Sequence, residues 1–282
     1  MCILLNKQSG FTSFDALYPI KRAIKSGKAG HTGTLDKFAS GLLIVLTGSS
    51  LKLSDLFMHC DKHYTATIKF GVRTGTLDPE GDVVEELPPP SLHDVEAALP
   101  HFLGDIMQIP PAYSALHING KRASDIARSG GIVEIKPRQI TIYDIKLCDW
   151  HPPFAKITVH CSCGTYIRSL ARDIAAKTGS CAHLSALIRN KVGGFSLDDA
   201  VLIGKDSPAD EVLEAMQPIK PATFDKIGVP HIEIDEKTAA AVKNGVPLGK
   251  LPELRRMANG TKTALFCNDQ LVAVRNLSNC YP

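Results

Sequence analysis

The pentapeptide TGTLD occurs twice in this 282-residue chain, at residues 32–36 and 74–78, and each copy ends in an aspartate that could act as a catalytic carboxylate. Their surroundings separate them. Asp36 lies between a Gly/Lys-rich loop and the small residues Ala39, Ser40 and Gly41, where a substrate backbone can approach closely. Asp78 precedes Glu80, Asp82, Glu85 and Glu86, a run that repels a phosphate-bearing substrate, and DPEG reads as an ordinary turn between strands. For either aspartate the everyday alternative is capping a turn or a helix. A working carboxylate in a pocket that encloses a substrate loses water, which raises its pKa from about 3.9 toward an unreactive neutral form. It therefore needs a cation beside it. Arginine suits the role because it stays charged when desolvated and can grip a carboxylate through two parallel hydrogen bonds.

Other chemistries find less support. Eight cysteines are scattered without a CxxC pair, and Cys161 and Cys163, the one close pair, read with the rest as reduced structural thiols. Ten histidines do not complete a zinc ligand set at recognisable spacing, and no metal or cofactor is expected. The glycines of residues 27–33 suggest a nucleotide phosphate loop, but the GxxxxGK[ST] pattern is absent. Apolar stretches such as residues 42–46 fall far short of the ~20 residues needed to cross a bilayer, and the N-terminus has no signal-peptide pattern. A cytoplasmic protein with no membrane partner is expected. The net charge of +3 is small but uneven. Residues 1–60 carry seven Lys/Arg against three Asp/Glu, residues 61–110 three against nine, and residues 111–140 five against two. Basic segments flanking an acidic one would suit a protein that holds a phosphate backbone at particular places, as would ordinary solvated surface.

The elements that must position these residues alternate between strand-like and helix-like, which predicts an α+β fold. Residues 2–5 read as a strand, followed by a helix capped by Thr12 or Ser13, carrying Phe14, Leu17 and Ile24 and kinked or shortened by Pro19. Residues 42–46 form an apolar strand, and Tyr64, Ala66, Ile68 and Phe70 alternate with Thr65, Thr67 and Lys69 along a half-buried one. A proline loop at 88–90 leads into a helix near 92–99, and residues 109–137 read as an exposed insertion. Strands follow at 140–147 and 155–161, then a helix over 166–177 ending at Gly179, with Arg168 and Arg172 on one face. Residues 208–230 suggest a linker, and the remaining tail has its last strand-like piece at 263–276.

Five runs in order carry a resemblance: GHTGTLDKFASGLL at 30–43, KHYTATIKFGVRTGTLDPEG at 62–81, QIPPAYSALHINGKRASDIARSG at 108–130, CSCGTYIRSLARDI at 161–174 and AHLSALIRNKVGGF at 182–195. Over roughly the first two hundred residues the chain resembles the bacterial tRNA pseudouridine-55 synthases, the TruB family. The resemblance implies a pseudouridine synthase fold, with a central mixed, mainly antiparallel sheet flanked by helices and loops. It implies a catalytic domain at 1–228, with an RNA-clamping insertion at about 108–137, and a short PUA-like β appendage at 229–282. The activity implied is isomerisation of uridine-55 in the tRNA T-loop by base flipping. In that reading Asp36 is the essential aspartate, Arg168 its partner and Tyr64 the stacking residue. Leu187 forms the opposite wall of the pocket, and His31 fills the space left by the extruded base. Lys121, Arg122 and Arg128 clamp the T-arm.

The implied partner is tRNA, with no guide RNA, and the implied state is a monomer. A non-catalytic tRNA-binding protein on the same fold is the alternative. The chain departs from the family pattern at Asn6, Gln8, Lys37 and Pro19, and its tail is shortened.

Overall fold

The computed structural model describes residues 1–25, 27–114, 116–118, 120–129, 131, 135–247, 251, 262–275 and 280–281. The chain opens with β1 (Cys2–Lys7), α1 (Tyr18–Ala23), β2 (Ala29–His31), β3 (Ser40–Thr47), α2 (Ser54–Met58) and β4 (Lys62–Phe70). A hairpin of β5 (Val72–Thr74) and β6 (Val83–Glu86), then α3 (Leu92–Ala98) and β7 (Gly104–Gln108), lead to a second hairpin, β8 (His117–Ile118) and β9 (Lys121–Arg122), and to α4 (Ala123–Arg128). The long strands β10 (Arg138–His151) and β11 (Phe154–Cys161), helix α5 (Ile167–Lys177), β12 (Ala182–Val192) and β13 (Phe195–Ser196) follow. Then come α6 (Ala209–Glu214), α7 (Pro221–Lys226), β14 (His231–Glu233), α8 (Glu236–Lys243), β15 (Thr263–Cys267), β16 (Gln270–Arg275) and β17 (Cys280–Tyr281).

The main sheet runs β1-β3-β12-β4-β11-β10-β7, with β2 added on β3 and β13 on β12. All its pairings are antiparallel except β12 with β3, so the mixed, mainly antiparallel α+β architecture expected is the one observed. That parallel contact is short, Ile188 opposite Ser40 and Arg189 opposite Gly41, while β2 pairs with the far half of β3 from Val45 to Thr47. The segment 32–39 leaves through the fork between β2 and β12. Topology thus presents Asp36 at a break in the sheet.

Residues 42–46 are apolar without alternation because both faces of β3 are covered. Leu42, Ile44 and Leu46 pack with Phe57, Phe224 and Phe266, while Leu43 and Val45 pack with Leu17, Ile20 and Val212 on the other side. Helix α5 lays Ile167, Leu170, Ala171, Ile174 and Ala175 into a third cluster with Ala66, Ile68, Ile157 and Val159 of β4 and β11. It stops where Gly179 takes a positive φ of 73°, as expected of a helix C-terminus.

Three local expectations need correction. Pro19 shortens the helix from its N-terminal end and not from within: residues 15–17 form only a 3-10 turn, and Pro19 occupies the first turn of α1, where its missing N–H has no intrahelical partner to lose. Neither Thr12 nor Ser13 caps α1, which follows Leu17 with no side-chain cap; Thr12 closes the turn before it, its hydroxyl accepting from the Asp15 N–H at 3.1 Å while the Asp15 carboxylate accepts from the Thr12 N–H and hydroxyl. Ser13 instead ties this turn to Leu35, accepting from its N–H and donating to its carbonyl. The 208–230 stretch is not an open linker, because α6 and α7 bury Val212 and Phe224 completely. In the tail, β14 to β17 form a four-stranded sheet in sequence order, and Asn276 lies outside the described residues.

Candidate active site

Arg168 stands in the first turn of α5 with its side chain 5% exposed. Its position is set two residues earlier: the buried Gln108 side chain accepts from the Tyr166 N–H at 2.8 Å and donates to the Tyr166 carbonyl at 3.1 Å. The guanidinium then reaches back to the loop leaving the fork in the sheet. Nη2 donates to Asp36 Oδ1 at 3.0 Å and to the Tyr113 carbonyl at 2.9 Å. Nε lies 2.9 Å from Asp36 Oδ2, but its N–H is not aimed at an acceptor. The grip is therefore one hydrogen bond and one charge contact, not the two parallel bonds expected of an arginine–carboxylate fork.

The other nitrogen corrects the reading of the repeated pentapeptide. Arg168 Nη1 donates to Asp78 Oδ2 at 3.1 Å and to the Thr76 carbonyl at 2.9 Å. Asp78 is buried, and its remaining oxygen accepts from the Thr76 hydroxyl at 2.5 Å and the Glu80 N–H at 3.1 Å. The second TGTLD does stand in a turn between strands, β5 and β6, but it closes on the same arginine as the first. The acidic residues after it suggested repulsion of a substrate, yet Asp78 itself turns inward and is neutralised. Leu77, at φ 62°, takes a conformation few side chains adopt, and its buried side chain and its carbonyl bond from Leu184 N hold the turn against the sheet.

Asp36 keeps 33% of its side chain exposed, which leaves it open to a substrate from one side. Burial pushes its carboxyl above the ordinary range; Arg168 pulls it back, and the charges of Asp78 and Glu80 push it up again. Both aspartates flank a guanidinium and not a cation-sized gap. The small residues after Asp36 serve packing more than substrate approach. Ala39 is wholly buried, and at Gly41, φ 107°, a Cβ would sit 2.4 Å from the Arg189 carbonyl oxygen.

Tyr64 lies on β4 opposite Val159 of β11 and Arg189 of β12, packed with Phe38 against the cluster that holds Leu35 and Leu187. Burial raises its hydroxyl pKa. Leu187 is buried on β12. His31 ends β2, its Nδ1 has no hydrogen-bond partner among the described residues, and burial followed by the charge of Arg189 lowers its pKa. Both effects favour the neutral ring. Arg122 and Arg128 are exposed on the second hairpin and α4, Arg128 lying 3.6 Å from Asp125, and neither reaches the Asp36–Arg168 group. The side chain of Lys121 lies outside the described residues. Arg172 turns from Arg168 to Asp173 and to the Ile109 carbonyl, which ties α5 to the start of the insertion.

Two further cations escaped the sequence reading. Arg189 is buried, donates from Nε to the Leu42 carbonyl at 2.8 Å and from Nη2 to the Gly33 carbonyl at 3.1 Å, and so props the loop that carries Asp36. Its signal was its spacing: it stands two residues after Leu187 on one strand, facing the same side. Lys7, also buried, donates to the carbonyls of Gln8 and Phe11. Burial lowers its pKa to about 8, with the nearby charge of Asp36 opposing. Its alternation with Leu5 offered no comparable signal.

Residues 21–167 match the family model described as TruB family pseudouridylate synthase, N-terminal domain. The chain belongs to the TruB family. A tRNA pseudouridine synthase B of Borreliella afzelii is 43% identical over 246 residues, covering 86% of this chain and 84% of that protein. The protein of the same name from Treponema denticola is 36% identical over 336 residues, covering 97% and 94%, and that from Zymomonas mobilis 40% over 252 residues, covering 87% and 83%. Among solved structures the fold is shared with a Cbf5-Nop10-Gar1 complex, at TM-score 0.71 and 24% identity over 99% of this chain and 80% of that one. It is shared also with an archaeal box H/ACA sRNP Nop10-Cbf5 complex, at TM-score 0.68 and 23% identity over 98% and 78%. As a TruB family pseudouridylate synthase the chain is an isomerase.

Proposed function

We propose that this chain converts uridine-55 in the T-loop of tRNA to pseudouridine, with Asp36 as the catalytic residue. The observation that supports this reading is the partly exposed Asp36 carboxylate held against a buried arginine. The names of the relatives, tRNA pseudouridine synthase B, support tRNA as the substrate. The reaction detaches uracil from the ribose carbon through nitrogen, turns it and rejoins it through carbon, with no net oxidation. The target nucleotide first leaves the RNA stack at a cost of a few kcal/mol. Stacking on Tyr64 offsets part of that, Leu187 closes the opposite wall, and His31 takes the vacated space. Asp36 then acts through its carboxylate, as nucleophile or as base at the sugar, while Arg168 keeps it ionised and aimed.

Residues 1–228 form the catalytic domain, and Lys121, Arg122 and Arg128 in the insertion at about 108–137 clamp the T-arm through phosphates. Residues 229–282 form a short PUA-like domain. The enzyme acts as a monomer without guide RNA or cofactor. The test is incubation with an unmodified T-arm stem-loop, without added metal or cofactor, and chemical mapping of pseudouridine. The parent chain should convert the loop, and Asp36→Asn should abolish conversion while binding the RNA with little change in affinity. A parent that binds but does not convert would favour a non-catalytic tRNA-binding protein on this fold.

A further inference from the structure

On β4 and β11 the residues that alternate with the α5-covered core point to the opposite face of the main sheet. His63 and His160 stand directly opposite each other there, on neighbouring strands, with ring centroids 3.9 Å apart. Asp61, just before β4, brings its carboxylate onto His160 Nε2, and its own carbonyl is held by the Gly193 N–H at 3.0 Å. The ring of Tyr143, from β10, closes on His160 at 4.7 Å. One donor atom from each of Asp61, His63 and His160 lies within 4.8 Å of the other two, and all three residues are partly open to solvent. None belongs to the Asp36–Arg168 group.

We infer that Asp61, His63 and His160 form a binding site for a divalent first-row transition cation, Zn²⁺ foremost. Two imidazoles and one carboxylate are a borderline-soft donor set, matched to zinc and its neighbours and poorly matched to Ca²⁺ or Mg²⁺, which take oxygen ligands. With ligand bonds of about 2.0–2.2 Å, two donors of one tetrahedral ion stand roughly 3.4 Å apart. The Asp61–His160 pair must open to admit the ion while the His63 ring swings toward it, and rotation about the soft outer torsions supplies both without moving either strand. The ion replaces the hydrogen shared by Asp61 and His160. Three protein ligands leave a fourth position for water. Lys191 opposite His63 and Asp144 opposite His160 are the flanking charges on β12 and β10, and Asp144 is itself paired with Lys146. A bound ion would cross-link the loop at Asp61 to the strand pair that also carries Tyr64.

The test uses the full chain stripped of metal. Titration with ZnCl₂ should give a saturable one-to-one isotherm and an upward shift in Tm, since an ion that binds only the folded chain stabilises it. His63→Ala should lose both while folding normally without metal, and Asp61→Asn serves as the second variant should His63→Ala fold poorly. Co²⁺ substitution should give visible bands without thiolate charge transfer, which separates this site from the cysteines. No saturable binding by the parent chain, or equal binding by both variants, would overturn the proposal and assign any residual uptake to exposed pairs such as His59 with Asp55 and His151 with Asp149, each 3.3 Å apart.

Discussion

One guanidinium serving two aspartates makes Arg168 the most heavily committed side chain of the site. Replacing Asp78 with Asn leaves a buried cation with one of its two counterions gone, and stability should fall by about 3 kcal/mol, as for other half-broken buried pairs. The charge of Asp78 raises the pKa of Asp36, so its removal should move the acid limb of the pH–rate profile to lower pH even as turnover falls through loss of alignment. Unfolding curves and a pH profile of Asp78→Asn check both. Lys7 gives a prediction of opposite sign. Its folded pKa of about 8 lies below the ordinary 10.5, so between those values the unfolded chain binds more protons and stability rises with pH. Below pH 8 the cost of burying the charge is present in full. Lys7→Met should therefore be more stable than the parent at pH 7, by roughly 1–3 kcal/mol, with the gap closing toward pH 10. Urea unfolding at the two pH values measures it.

At the scale of elements, the strand β3 does two jobs at its first turn: it ends the Asp36 loop and meets β12 in the one parallel contact of the main sheet. Gly41 makes that possible by its positive φ and by having no Cβ to strike the Arg189 backbone at 2.4 Å and 2.7 Å. Gly41→Ala should open the β3–β12 contact, release the Arg189 side chain from the loop, and lower Tm by several degrees with loss of activity. Periodicity made most strands legible: residues 140–147 and 155–161 lie within β10 and β11, and Tyr64 to Phe70 alternate as β4 does. The short elements were not legible. Helices α6 and α7 have six residues each, too few to display a helical period, and their prolines read as linker until Val212 and Phe224 find the core.

Across the whole molecule, the small C-terminal sheet shares a core with the main one. Ala264, Phe266 and Val274 pack with Phe57, Phe195 and Phe224, and Phe266 meets Phe224 edge to face at 5.4 Å. Phe266→Ala should therefore cost about 3–5 kcal/mol, as a large-to-small change in a packed core does, and should lower the single thermal transition of the entire chain. A variant that melts in two steps, the first alone shifted, would show that the tail is energetically separate. The size of the shared cluster explains why compositional reading of 208–230 as a linker failed: the boundary is marked by proline but not by a gap in packing.

Residue types and order by themselves determined the α+β class, the main strands and the length of α5, because those depend on local periodicity; Asp36 stood out by its neighbours, while Arg168, Tyr64 and Leu187 were named only through the resemblance that runs of adjacent residues carry. Asp78, Lys7 and Arg189 were decided by the tertiary structure. Each is an ordinary charged residue in its own segment, and it acquires its meaning only when the chain brings it, from tens of residues away, into a dry interior where an ion must be matched or pay in stability. The same crossing of chain segments turned two identical pentapeptides into one arrangement: Asp36 at the open side of Arg168 and Asp78 at its closed side.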